Sequence, residues 1–236
     1  METALKRTPI DHVRVLSHLP DHERRSLAAE EVVLRNYRRG DIVAESGSIP
    51  GAVFFIISGK VRHQTYSEDG KPVHFGFDES GGLFGEVEAI ENKPRPIETS
   101  ACVDSTIGLL SAARFRELCD KYPPIEDALR RLLVHRLNDQ MNRVFEFTTL
   151  SVKERVRREI VRICEAQYKA ILPDHSLSDL LVIREPPTHA EIAACISSHR
   201  EAVTREIKSL ESDGVIVWKR GCYQVRDLAR LRGMAT

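Results

Sequence analysis

The stretch "SSHREAVTREIKSLESDGVI", residues 197–216, puts unlike chemistry on the two sides of one helix. Arg200, Glu201, Thr204, Arg205 and Lys208 fall on one face, and Val203, Ile207 and Leu210 fall on the other. An arginine can hydrogen-bond in a bidentate fashion to the O6 and N7 of guanine, and a glutamate can accept from the N4 of cytosine. A face of this composition therefore suits a nucleic-acid groove. His199 and Lys208 at its margins suit phosphates. Thr188 and His189, at the start of the preceding helical segment, are placed to bind a phosphate at a helix N-terminus. The plain alternative is a solvated helix surface with an internal Glu201–Arg205 pair.

Such a face needs a frame, and the flanking sequence supplies one. Before it, "PPTHAEIAAC" carries a capping box of Thr188 and Glu191 just after two prolines. After it, "VIVWKRGCYQV" reads as two short strands around Arg220-Gly221. Upstream, "SVKERVRREIVRICEAQ" is an amphipathic helix capped by Ser151 and Glu154, and "LLVIRE" is strand-like. Helix, turn, helix and hairpin in this order describe a winged helix-turn-helix.

The first half has a different texture. "VVLRNY", "AVFFIIS", "KVRHQTY", "PVHFGF" and "TIGLLS" are β-branched and aromatic runs, punctuated by Gly40, Gly51, Gly59, Gly70 and Gly81-Gly82. That spacing predicts an antiparallel barrel or jelly roll. "EDGK" (68–71) reads as a hairpin turn, and Asp21 as the cap of a short helix before the strands. Between the halves lies "PIEDALRRLLVHRLNDQMNRVFEFTT", with Pro123 and Pro124 in its first turn. Leu129, Leu133, Leu137, Met141 (or Gln140), Val144 and Thr148 form a heptad-like seam for a second copy of the chain. Ile125, Leu132 and Phe145 on the other side face the barrel. The expected organisation is α+β: a β-roll sensor over 1–123, a dimerisation helix and hinge over 124–150, and a winged helix-turn-helix over 151–236.

Composition bounds the alternatives. The chain has 236 residues, 42% apolar and 30% charged, which suits a folded protein rather than a disordered one. No apolar run approaches the roughly 20 residues of a membrane span. The N-terminus lacks the apolar core of a secretory signal, and five Cys without close pairs suit reduced cytoplasmic thiols. Net charge is zero, but residues 151–236 hold 15 Lys/Arg against 12 Asp/Glu, a mild basic bias at the nucleic-acid end. No nucleophile–base pair, P-loop or metal triad points to an enzyme, and none of the nine His has metal-ligand spacing. Cys195 reads as a packing residue.

Taken whole, the chain resembles the CRP/FNR family of bacterial transcription regulators. The most specific match is "HREAVTREIKSLESDGVI", which is similar to the family's R-E-T-V-x-R-x-L-x-x-L-E-x-x-G-x-I signature. The resemblance implies that Arg200, Glu201 and Arg205 read bases, in a palindrome of TGTGA-like half-sites. It also implies a homodimer on double-stranded DNA, with RNA polymerase as a protein partner. Ser197 departs from the pattern, standing where the family has Gly in the interhelix turn.

"GGLFGEVEAIENKPRP" (81–96) resembles the phosphate-binding cassette of cyclic-nucleotide domains. By that resemblance Gly85 turns the backbone toward a cyclic phosphate, Glu86 accepts the ribose hydroxyl and Arg95 pairs with the phosphate. Gln140 and Met141 stand where cyclic-AMP-binding members hold adenine. Several residues depart from the cassette: Pro96 removes a backbone N–H, Ile97 replaces a small residue, and Glu88 and Glu98 add negative charge that repels an anion. Three readings of this cup stay open: a cyclic nucleotide such as cyclic AMP, another small effector, or no effector at all. Iron–sulfur sensing in the family needs an N-terminal Cys cluster, and the first 101 residues contain no Cys. A regulatory module that acts on a protein partner instead of DNA is the alternative of another class.

Overall fold

A computed structural model describes residues 8–49, 51–168, 181–184 and 186–235. They fall into two compact units, 1–138 and 139–236. The division lies inside the long helix, within the segment 124–150 that the sequence sets apart from the two domains.

The first unit opens with a 3-10 turn, Leu16–His18, and helix α1, Asp21–Ser26, which runs on into a π-helical turn, Leu27–Glu31. Asp21 is not the cap of α1: Pro20 holds that position, and Asp21 is the first helical residue, paired with Arg24 at 2.6 Å. Eight strands follow: β1 (Val33–Tyr37), β2 (Ile42–Ala44), β3 (Ala52–Ser58), β4 (Lys60–Tyr66), β5 (Pro72–Glu79), β6 (Leu83–Phe84), β7 (Glu98–Ala101) and β8 (Ser105–Ser111). Helix α2 (Glu86–Glu91) lies between β6 and β7. Helices α3 (Ala112–Lys121) and α4 (Pro123–Thr149) follow β8. The strands form two antiparallel sheets, ordered β1-β8-β3-β6 and β2-β7-β4-β5, which is the expected β-roll. Strand alternation divides the core. On β3, Val53 and Phe55 pack with Phe115 and the helices, whereas Ile56 packs with Val61, Phe84 and Ile107 between the sheets. The 68–71 turn is the β4–β5 hairpin, with Gly70 at φ +72° and Ser67 donating to the carbonyl of Lys71 at 2.9 Å.

In the second unit, α4 is followed by α5 (Val152–Tyr168), β9 (Leu181–Ile183), α6 (His189–Cys195), α7 (Arg200–Ser212), β10 (Ile216–Lys219), β11 (Cys222–Val225) and α8 (Leu228–Gly233). The three strands form one antiparallel sheet, ordered β10-β11-β9. The Ser151–Glu154 box caps α5: Ser151 donates its backbone N–H to Glu154 at 2.7 Å, and its hydroxyl oxygen accepts from the N–H of Glu154 at 3.4 Å.

The apolar residues of α4 face differently from the sequence expectation. Ile125 and Leu129 are buried in the core of the first unit, and Leu132 and Leu133 pack against it. Leu129 and Leu133 therefore leave the expected seam. Phe145, expected to face the barrel, is exposed. The outward stripe is Val134, Leu137, Met141, Val144 and Phe145, each 52–62% exposed. Positions 134, 137, 141 and 144 alternate steps of three and four, the spacing of a coiled-coil seam.

Candidate nucleic-acid interface and effector cup

Helix α6 begins with the expected capping box. The Thr188 hydroxyl oxygen accepts from the N–H of Glu191 at 3.2 Å, and the Glu191 carboxylate accepts from the N–H of Thr188 at 2.8 Å. The helix ends at Cys195, whose carbonyl accepts from Arg143 at 3.0 Å. The next carbonyl, of Ile196, accepts from Arg155 at 2.9 Å. Two arginines on α4 and α5 thus satisfy carbonyls that the end of α6 leaves open. Ser197 then takes φ +49°, the left-handed conformation for which glycine is favoured, and turns the chain into α7. Ser197 therefore adopts, without being a Gly, the conformation that a Gly takes most readily. His199 is the N-cap residue of α7, one position before the helix, so the helix starts at Arg200 rather than at Ser198 or His199.

On α7, Val203, Ile207 and Leu210 are buried. Arg200, Glu201, Arg205 and Lys208 are exposed, and none makes an ion pair among the described residues. The Glu201–Arg205 pair of a self-satisfied surface is absent from this set. Three cations and one carboxylate thus stand free on the outward face of a helix fixed from behind. Glu206 fixes it: this carboxylate, 3% exposed, meets Arg157 of α5 at 2.7 Å.

His189 has a task the sequence did not suggest. Its Nδ1 lies 2.8 Å from the Thr204 hydroxyl and its Nε2 lies 2.9 Å from the Tyr223 hydroxyl. Thr204 donates its own proton to the carbonyl of Arg200 at 2.9 Å, so Nδ1–H donates to Thr204 and Nε2 accepts from Tyr223. Both ring nitrogens are taken up in tying α6, α7 and β11 together. Burial, aided by the charge of Arg200, lowers the pKa of this imidazole. As pH falls through about 6.5 the unfolded chain takes up the proton while the folded one resists, so stability is lost on acidification toward the lowered folded value. Wild type is expected to lose more thermal stability than His189→Gln between about pH 7 and 5. Parallel melting curves for the two proteins would contradict the relay.

The hairpin tip at the end of β10 adds Lys219 and Arg220, both exposed, with Arg220 at φ +52° and Gly221 at φ +79°. Trp218, half exposed, packs edge-on against Tyr223, ring centroids 4.7 Å apart. The Arg-Gly pair between two short strands was the available signal for a charged tip.

In the first unit the structure brings Gly85, Glu86 and Arg95 together. Gly85 is at φ +88°, and a Cβ there would come within 3.0 Å of Arg95, of the Ala52 carbonyl and of the Phe54 ring. Arg95 is 5% exposed. It donates to Glu88 and to the Thr99 hydroxyl, both at 3.1 Å, and lies 5.7 and 5.4 Å from the stacked rings of Phe54 and Phe84. Glu86 is 1% exposed. One of its oxygens pairs with Arg136 of α4, and the other has no hydrogen-bond partner among the described residues. Arg136 also donates to Asp78 at 2.7 Å and to the Leu83 carbonyl at 2.6 Å. His63 bridges Asp78 and Thr99, at 3.0 Å each.

The charges follow from this network. Burial raises the Glu86 pKa against the pull of Arg136. Burial also raises that of Asp78, but the His63 hydrogen bond and the Arg136 charge outweigh it and hold the carboxyl below its ordinary range. Arg136, Asp78, His63 and Thr99 had no sequence signal. Gln140 and Met141, expected at the adenine, are exposed residues of the second unit. Among the described residues no group of three or more His, Cys, Asp and Glu is placed to hold a metal ion, and no helix is long and apolar enough to cross a membrane.

Comparison with known proteins agrees with this geometry. Residues 34–122 match the cyclic nucleotide-binding domain, and residues 154–234 match the Crp-like helix-turn-helix domain. The cAMP-activated global transcriptional regulator Vfr of Pseudomonas aeruginosa is 28% identical over 186 residues, 77% of this chain and 84% of its own. The cyclic AMP receptor protein of Thermus thermophilus is 28% identical over 216 residues, 89% of this chain and 94% of its own. Among solved structures, FixK2 of Bradyrhizobium japonicum shares the fold with a TM-score of 0.73 at 15% identity, covering 87% of this chain and 98% of its own. A CRP/FNR-family regulator of Thermus thermophilus does so with 0.67 at 24% identity, covering 86% and 98%. With a cyclic nucleotide-binding domain, a Crp-like helix-turn-helix and relatives of this kind over most of its length, the chain belongs to the CRP/FNR family of transcription regulators.

Proposed function

We propose that the protein is a homodimeric, sequence-specific DNA-binding regulator that reads a palindrome of TGTGA-like half-sites. The observation that carries this reading is the outward face of α7. Its inner face is buried to Leu210, while Arg200, Glu201, Arg205 and Lys208 stand exposed and unpaired among the described residues. Arg200, Glu201 and Arg205 contact base edges. Lys208, His199 and Thr188 contact the backbone, and Lys219 and Arg220 at the wing tip add phosphate contacts. Two copies paired along the α4 stripe present two α7 helices to successive major grooves, about 34 Å apart. RNA polymerase is the partner through which a promoter-bound dimer acts, and the position of the operator decides between activation and repression.

The test is Arg200→Ala. It is expected to cost about 1–3 kcal/mol on the cognate duplex and to relax preference at one base position. An equal loss on every sequence would place Arg200 on phosphate and contradict its reading role.

The names of the relatives favour cyclic AMP as the effector. An effector switches the protein only through unequal affinity for two arrangements of the dimer. The pairing of Arg95 with Glu88 favours a second reading, in which the dimer binds DNA without a cyclic nucleotide.

A further inference from the structure

We infer that the anion subsite of the cup is already filled by the chain itself: the Glu88 carboxylate stands in for a ligand phosphate, and Glu88 is the residue that decides what the cup admits. The inference concerns the sensor alone and holds whether or not α7 reads DNA.

Arg95 is a buried guanidinium at the position that the family pattern reserves for phosphate. A guanidinium stays protonated under all ordinary conditions, so burying it requires an anion beside it. Here that anion is Glu88, 9% exposed and 3.1 Å away. Thr99 accepts from a second nitrogen, and the rings of Phe54 and Phe84 lie beside the guanidinium. Gly85 leaves the room that lets Arg95 lie where it does. The cation is therefore neutralised and held in place, with the buried carboxylate of Glu86 on the same helix.

An incoming phosphate would have to displace Glu88, leave that carboxylate buried without its partner, and bring a further negative charge beside Glu86. Pro96 has no N–H to offer in return. A ligand that does enter is one without a phosphate. The Glu86 oxygen that has no partner among the described residues is a buried acceptor for an uncharged donor.

Removing Glu88 reverses this logic. In Glu88→Ala, Arg95 keeps its buried charge and loses its counter-ion, so the space left becomes a site for an external anion. The test uses the full chain. Binding of cyclic AMP is measured by equilibrium dialysis, and thermal melting is followed with and without inorganic phosphate, for wild type, Glu88→Ala, Glu88→Gln and Glu88→Ala/Arg95→Ala. Both single variants are expected to bind cyclic AMP at least ~10-fold tighter than wild type. Phosphate is expected to raise their melting temperatures and leave that of wild type unchanged, and the double variant is expected to lose both gains. A Glu88→Ala protein that folds only with phosphate present also supports the inference. Wild type binding cyclic AMP as tightly as the variants would overturn it, as would the absence of any gain in both single variants.

Discussion

Val144→Glu is expected to turn the proposed dimer into a monomer and to weaken binding to a two-half-site duplex by about 100- to 10,000-fold. Val144 lies near the C-terminal end of the outward stripe of α4 and is 62% exposed. Val134, Leu137, Met141 and Phe145 are exposed beside it, a continuous apolar line that water meets unless a second copy covers it. A carboxylate placed in the seam faces its own copy across the two-fold axis, so pairing must desolvate two like charges. Binding the second half-site then no longer benefits from the high local concentration that the dimer provides. Sedimentation would show the change of mass, and binding to a full palindrome and to a single half-site would show the change of affinity. An unchanged dimer would place the interface elsewhere on the chain.

Arg157→Ala is expected to destabilise the second unit by about 3 kcal/mol. It leaves Glu206, 3% exposed on the inner side of α7, without the guanidinium 2.7 Å away. Arg157 also donates to the Met234 carbonyl at 2.9 Å, so the same change frees an acceptor near the end of the chain. The cost comes from stranding a buried charge, not from losing net attraction. The double change Arg157→Met/Glu206→Met is therefore expected to recover most of the loss, since apolar side chains of similar volume replace both partners. Urea unfolding of the three proteins measures this. A single-variant loss below about 1 kcal/mol would show that water screens the pair.

Local pattern carried much of this structure. The 3.6-residue period separated Val203, Ile207 and Leu210 from Arg200, Glu201 and Arg205, and both capping boxes marked real helix starts. β-Branched and aromatic runs marked the five longer strands of the roll. The missed strands are short and carry no such pattern: β2 has three residues, β6 has two within a glycine-rich turn, and β7 is Glu-Thr-Ser-Ala. The expected α4 seam keeps Leu137, Met141 and Val144 on the outward stripe and loses its first two residues. Period alone shows that a helix has apolar faces, but Leu129 and Leu133 face their own core because the barrel lies there.

Charged and polar partners were the least legible. Arg136 reaches Glu86 across 50 positions, and His189 reaches Tyr223 across 34, and no spacing rule connects residues so far apart. The occupied state of Arg95 was only half visible. Glu88 was seen as a misplaced charge, but that it meets Arg95 is a fact of the folded cup.

The proposed dimer that reads an inverted repeat through α7 is put to the test by selecting bound duplexes from a random-sequence pool, with and without cyclic AMP. Enrichment of two TGTGA-like half-sites in inverted orientation, with centres about 10–11 base pairs apart, is expected in both conditions. A pool that shows no inverted repeat in either condition would contradict it and favour a module that acts on a protein partner.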